Sequence, residues 1–186
     1  MKNLLIILFV GVVSVTNAQN NFRDTEWGMS AEKVKQSEDG DPALENEESI
    51  GYFGSVASLD VIIAYYFVEN KLYKGAYIFN EDHTNKNLYL EDYLEIKEIL
   101  TEKYGEPLRS EVEWNDDLYK DDVSEYGLAV SIGHLKMFSI WSLDDIVIEH
   151  RIEGDNYEIR HNVVYTSVKY GRIANQKLQE EEQDAF

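Results

Sequence analysis

Two histidines on one apparent hairpin, His150 and His161, are the residues of this chain best placed to hold a metal or move a proton. They stand in I-V-I-E-H-R-I-E-G-D-N-Y-E-I-R-H-N-V-V-Y, Ile146 to Tyr165, which alternates as paired strands do. An even turn at Gly154-Asp155 puts Ile148, His150, Ile152, Tyr157, Ile159, His161, Val163 and Tyr165 on one face. Glu149, Arg151, Glu153, Glu158 and Arg160 then fall on the other, where they can pair across strands. Moving the turn by one residue on each side keeps both histidines on the apolar face, because the period of two is preserved. Two imidazoles on neighbouring strands could ligate a metal, but zinc sites take at least three protein ligands and no third is indicated. The plainer expectation is a pair of core histidines bonded to a tyrosine or a backbone carbonyl. A pH-sensitive or ligand-contacting pair is the other reading.

Carboxylates cluster at N-D-D-L-Y-K-D-D (Asn115 to Asp122), at E-D-G-D (Glu38 to Asp41) and at Asp144-Asp145. Calcium wants six to eight oxygens, and an EF-hand loop sets them at fixed alternating positions around a central glycine; none of these runs fits. They read as turn acids facing water. A cation or small ligand held by these loops, or by His150 and His161, is the alternative. Aromatic residues are the second resource. The chain has 13 tyrosines, and Tyr65, Tyr66, Tyr73 and Tyr77 concentrate in one stretch. Strict alternation puts Tyr66, Tyr73 and Tyr77 on one face and Tyr65 on the other. With Trp114 and Trp141 they are candidate binding residues, either packed in the core or lining a partly exposed groove for a peptide, glycan or protein. The chain contains no G-x-S-x-G, H-E-x-x-H, P-loop or G-x-G-x-x-G motif, so no catalytic residue and no cofactor is assigned. A hydrolase with an unidentified site is the last alternative, since acidic pairs abound and nothing selects one.

Several elements must position these residues. M-K-N-L-L-I-I-L-F-V-G-V-V-S-V-T-N-A reads as a signal peptide over 1–18, with Lys2, an apolar stretch from Leu4 to Val13, and a small-residue exit. Cleavage is expected after Ala18, leaving 168 residues from Gln19. The apolar stretch is too short to span a bilayer comfortably. The product is expected to be soluble, periplasmic or secreted, with no membrane span after cleavage and, lacking cysteine, no lipid anchor or disulfide. Loss of Lys2 leaves 16 basic against 36 acidic residues, a net charge of −20. Such a chain is repelled by phosphate backbones, so nucleic acid is a poor partner and a protein or cell-envelope component is the expected one.

Ser30 reads as the N-cap of a first helix, with Met29 and Val34 as its hydrophobic staple and Gly40 and Pro42 as its stop. Its apolar face is thin, and Trp27 is expected to supplement it. Strands follow at Ile50 to Ala57, Val61 to Val68 and Lys71 to Phe79, the last two joined at Glu69-Asn70. Tyr89, Tyr93, Ile96, Leu100 and Tyr104 form the stripe of a second helix, ended by Gly105 and Pro107. Further strands are expected at Leu108 to Trp114, Tyr126 to Ile132, Leu135 to Trp141, Ile146 to Glu153 and Tyr157 to Val168. The 171–186 segment is charged, and Gln176 to Phe186 is expected to fray. The whole reads as α+β, antiparallel sheet with helices packed on one face, in one domain over 19–170. The recurrence of D-G-D-P (Asp39 to Pro42) and Y-G-E-P (Tyr104 to Pro107) suggests two related helix-plus-sheet halves, 22–80 and 85–168.

The stretch Gly28-Met29-Ser30-x-x-x-Val34 followed by Gly40-x-Pro42 resembles the opening of small outer-membrane assembly lipoproteins of the SmpA type, and the wider β-lactamase-inhibitor-like folds. The chain departs from them in a helix-to-turn spacing one residue longer, in Asp39 where a leucine stands, and in lacking the lipid-attachment cysteine. Its opening is more similar to uncharacterised secreted bacterial proteins that begin W-G-M-S-x-E-x-V-K, as Trp27 to Lys35 does here. The resemblance covers about 15 residues. It implies a short antiparallel sheet packed on helices and a non-catalytic binding or scaffolding role at the envelope, with no catalytic residue to carry over.

Overall fold

The computed structural model describes residues 21–184; the expected signal peptide lies outside them. Helix α1 (Ala31–Ser37) precedes β1 (Leu44–Glu45), β2 (Ser49–Val56), β3 (Leu59–Val68) and β4 (Lys71–Phe79). Helix α2 (Leu88–Tyr104) precedes β5 (Arg109–Trp114), a short helix α3 (Tyr126–Ser131), β6 (Leu135–Ser142), β7 (Ile146–Asp155) and β8 (Glu158–Ser167). Helix α4 (Val168–Asp184) closes the described chain. All eight strands form one antiparallel sheet in the order β1-β2-β3-β4-β8-β7-β6-β5. This is the α+β architecture expected, and its order is palindromic. Each unit is a helix followed by four strands, and the two meet through their last strands, β4 and β8.

The buried face of the sheet carries Tyr52, Ile63, Tyr65, Val163, Ile148 and Trp141, and Val34 of α1 and Ile96 and Leu100 of α2 pack into the same cluster. The core thus runs through the β4–β8 seam. A second cluster at the β5–β6 end joins Tyr89 and Tyr93 of α2 to Ala129 and Val130 of α3 and to Leu135 and Ile152. The α2 stripe points where its spacing requires: Tyr89, Tyr93, Ile96 and Leu100 are all buried. Ser30 does occupy the N-cap position of α1, but its hydroxyl makes no cap bond. Instead the Ala31 amide donates to Asn70 Oδ1 at 3.0 Å. Gly28 and Met29 extend the sheet locally, since Gly28 N–H donates to Leu72 O and Leu72 N–H to Met29 O, each at 2.8 Å.

The Glu69-Asn70 turn forms as expected, both residues at positive φ (50° and 57°). A bulge then changes the sheet. Phe67 pairs with Leu72 but Tyr66 with Lys74, so Tyr73 is the extra residue. One extra residue turns every later side chain to the opposite face. Tyr77 therefore pairs with Ile63 and shares the face of Tyr65, whereas Tyr66 lies on the other face. The expected grouping of Tyr66, Tyr73 and Tyr77 does not occur.

Three other elements differ from expectation. Tyr126 to Ser131 is helix rather than strand. Asn87 Oδ1 accepts from Gly127 N–H at 2.7 Å and Asn87 Nδ2 donates to Ser124 O at 2.7 Å, tying the segment to the start of α2. A Cβ on Gly127 would overlap the Lys86–Asn87 backbone, so this glycine serves close packing. The charged tail is helical through Asp184, with Gly171 and Ala174 buried. Gly171 lies against Thr166, so α4 packs on the sheet face opposite α1, α2 and α3. The last hairpin turns at Asn156-Tyr157 (φ 49° and 69°), not at Gly154-Asp155. Gly154 is used instead for close approach, since a Cβ there would overlap Val130 O. The parity argument survives, and His150 and His161 both face the core.

These turn assignments predict opposite responses. Gly154→Ala should cost about 1–3 kcal/mol by overpacking against α3. Tyr157→Gly should gain up to about 1 kcal/mol by relieving a left-handed non-glycine residue. Urea unfolding of both variants checks this, and a turn at Gly154-Asp155 would give the reverse order.

Candidate functional site

Phe22 holds the site together. It is 3% exposed, and its ring lies 5.3, 5.0 and 5.2 Å from those of Tyr65, Tyr77 and Tyr165. It sits over Gly75, where any side chain would collide with it. The segment before α1 is locked by its own bonds. Asn21 N–H donates to Thr25 O at 2.9 Å, and the buried Thr25 hydroxyl donates to Phe22 O at 2.6 Å. Arg23 is thereby set beside Glu38, with Nε–Oε1 at 2.7 Å and Nη2–Oε2 at 3.2 Å. Glu38 also accepts from the Tyr65 hydroxyl, and its side chain is only 7% exposed. A charge this enclosed requires both partners.

Beside this anchor lies a cleft of about 710 Å³ at the end of the sheet, near the β4–β8 seam. Its aromatic surface is Phe22, Tyr77, Tyr104 and Tyr165. Its charged lining residues are Arg23 and Lys103 together with Asp144 and Asp145 of the β6–β7 turn. Asn21 Nδ2 donates to Asp145 Oδ2 at 3.3 Å, across 124 residues of sequence. Lys103 Nζ stands 5.0 Å over the Tyr104 ring. Burial pushes the Tyr77 and Tyr165 phenols up; Arg23 and Lys103 partly oppose this at Tyr77, while Tyr104 and Tyr77 add to it at Tyr165. Both hydroxyls therefore stay protonated near neutral pH and serve as hydrogen-bonding groups rather than bases.

No family model, curated protein or solved structure matches this chain. The site must be read from its own chemistry.

Of the candidate binding residues Tyr66, Tyr73, Tyr77, Trp114 and Trp141, only Tyr77 lines the cleft. Tyr66 and Tyr73 flank Lys74, whose ammonium lies 4.2 and 5.5 Å from their ring centroids. Burial lowers the Lys74 pKa. Trp114 packs edge-on against Tyr126 at 5.0 Å, at the far end of the sheet. Trp141 is 1% exposed and donates through Nε1 to Gly105 O at 2.8 Å. It is a core residue and no surface anchor. The acidic turn Asp144-Asp145 does line the cleft, but Arg23, Lys103, Tyr104 and Tyr165 gave no local signal of a site. Their convergence depends on the β4–β8 pairing and on Phe22, neither of which has a sequence motif.

The histidines meet each other. His150 Nε2 and His161 Nε2 are 2.8 Å apart, His150 stacks on Tyr93 at 4.1 Å and His161 on Phe79 at 4.0 Å. One Nε2–H must donate to the other's lone pair. His150 Nδ1 is buried without a partner. An unpaired acceptor is better tolerated than an unpaired N–H, so His150 is assigned as the donor through Nε2. The expected tyrosine or carbonyl partner is thus replaced by the second imidazole. Among the described residues no group of three or more His, Cys, Asp or Glu side chains converges as a metal site would need.

Burial lowers both imidazole pKa values, that of His161 to about 3 and that of His150 well below its ordinary range, where His161 and Lys97 add to the shift. The unfolded chain takes up these protons near pH 6.5 and the folded chain does not. Stability from the neutral pair is therefore fully present above pH 6.5. It falls on acidification by up to about 1.4 kcal/mol per pH unit for each histidine. The double variant His150→Phe/His161→Phe should show a shallower loss of stability than the parent between pH 7 and pH 5, measured by denaturant unfolding. Parallel profiles would mean that the imidazoles protonate in the folded state.

Proposed function

We propose that this chain is an exported, non-catalytic binding protein of the cell envelope whose ligand site is the cleft near the β4–β8 seam. The observation that carries this reading is the cleft itself. Its volume of about 710 Å³ lies within the range of ligand sites. Its surface combines tyrosine rings with both cations and carboxylates, a mixture suited to orienting a polar ligand on an aromatic floor. The expected signal peptide supports the export, and the likeness of Gly28 to Pro42 to small outer-membrane assembly lipoproteins supports the envelope location and the binding role. The outer sheet face is a weaker site, because its charges already satisfy one another. Arg151 bonds Glu149 at 2.7 Å, and Lys136 bonds Glu113 at 2.7 Å.

A photo-cross-linking residue placed at Leu143, on the cleft wall, should capture a partner from the cell envelope. The same residue at the exposed Phe53 of the outer face should not. Lys103→Glu should abolish capture from position 143 with little change in melting temperature. Capture from position 53 alone, unaffected by Lys103→Glu, would refute the cleft as the site.

A further inference from the structure

The cleft is one of two neighbouring hollows. The second, about 400 Å³, is bordered by Trp27, Tyr170, Lys169 and Arg172, and it shares Asn21, Asp144 and Asp145 with the first. The β6–β7 turn is therefore a ridge between two aromatic hollows. Both sides fix it. Val168 N–H donates to Asp145 O at 2.9 Å, Leu143 N–H to Ile146 O at 2.9 Å, and Asn21 holds the Asp145 carboxylate.

The charges along this line are largely unspent. Among the described residues Asp144 makes no hydrogen bond or ion pair, and neither Lys103 in the first hollow nor Arg172 in the second has a carboxylate partner. Lys103 lines only the first hollow and Arg172 only the second, while the carboxylates border both, so the charges run cation, carboxylate pair, cation, with an aromatic hollow on each side of the pair. A single zwitterion would fill one hollow and leave the other side of the ridge unused. An uncharged saccharide would leave all three charges without partners. An extended peptide matches the order, because its side chains at i and i+2 lie about 7 Å apart on one side.

Building on the cleft reading, we infer that the paired hollows bind an extended peptide segment bearing a basic residue between two aromatic ones, with acidic residues at its ends. The basic side chain meets Asp144 and Asp145, the aromatic side chains enter the hollows on either side, and the acidic ends face Lys103 and Arg172.

The test uses the full exported protein and two dye-labelled nonapeptides, capped at both ends, Glu-Ser-Phe-Ser-Lys-Ser-Phe-Ser-Glu and Glu-Ser-Phe-Ser-Glu-Ser-Phe-Ser-Glu, whose charged and aromatic side chains all fall on one side of an extended chain, followed by fluorescence anisotropy in low salt. The first should bind at least tenfold tighter. Asp144→Asn/Asp145→Asn should erase that preference, and Asp144→Lys/Asp145→Lys should reverse it, with melting temperatures held as the control for folding. Equal binding of the two peptides, or a preference that survives both double variants, overturns the inference. Titration of the cleft with p-cresol, followed by NMR, separates the two claims. Cresol shifts at Tyr77, Tyr104 and Tyr165 without peptide preference leave the cleft as a ligand site and reject the peptide. Absence of both rejects the cleft reading as well.

Discussion

The pairing of β4 with β8 is the constraint on which the other features rest. Only five residue pairs make this seam, from Lys74 with Thr166 to Ile78 with Asn162. Yet it converts two four-stranded units into one eight-stranded sheet and hides an edge of each, edges that would otherwise offer free N–H and C=O groups to other chains. The chain has no cysteine, so no disulfide holds the two units against each other. Packing across the seam must do it, and the main cluster accordingly takes Val34 and Tyr65 from the first unit and Ile148, Val163 and Tyr165 from the second. Phe22 lies over this junction, against Tyr65, Tyr77 and Tyr165 at once. The same convergence that closes the core leaves the cleft at its end.

Polar groups inside the sheet follow the same logic. His150 and His161 sit between Tyr93 and Phe79 and bond to each other, so each imidazole has an aromatic face covered and its Nε2 satisfied. A smaller chain continues nearby. Tyr93 Oη lies 3.3 Å from Ser139 Oγ, which lies 3.1 Å from Ser110 Oγ, which accepts from Lys97 Nζ at 2.8 Å. This row leads from the buried histidine to the solvent edge at β5. Such a network fixes the placement of α2 more narrowly than leucine-on-valine contacts would, since its partners are directional. In this arrangement the histidines bond to each other, and their burial sets how acid affects the fold.

Much of the architecture was legible in the residues. The 4-3-4-4 stripe of α2, the Glu69-Asn70 turn and the alternation through Ile146–Tyr165 each have a period that physical sterics reads directly. What failed had a common cause: a residue type with two uses. Gly154 looked like a turn glycine but serves close packing, while the turn goes to Asn156-Tyr157 at positive φ. Tyr126 to Ile132 has strand-like composition, but Asn87 and the α2 backbone claim its first turn, a contact about 40 residues away in sequence. The bulge at Tyr73 has no composition signal, and it moves Tyr77 from the face of Tyr66 to that of Tyr65. Gln176 to Asp184 continue α4 although its buried residues, Gly171 and Ala174, precede them, so no apolar stripe marks that stretch as helix.

The same argument explains why the cleft was invisible while one of its parts was in plain view. Asp144 and Asp145 were read as turn acids facing water, and they are exposed. Their surroundings change their meaning. In a protein with 36 acidic and 17 basic residues, one more carboxylate pair on the surface is unremarkable. Here the pair stands among Arg23, Lys103, Lys169 and Arg172, four cations brought together at one end of an otherwise acidic molecule. Among the described residues Arg23 is the one of these with a carboxylate of its own, Glu38. Self-repulsion in so acidic a chain is relieved most simply by scattering basic residues among the acids. Concentrating them around tyrosine and tryptophan at one end forgoes part of that relief, and a charged, oriented ligand is the kind of partner for which such an arrangement is suited.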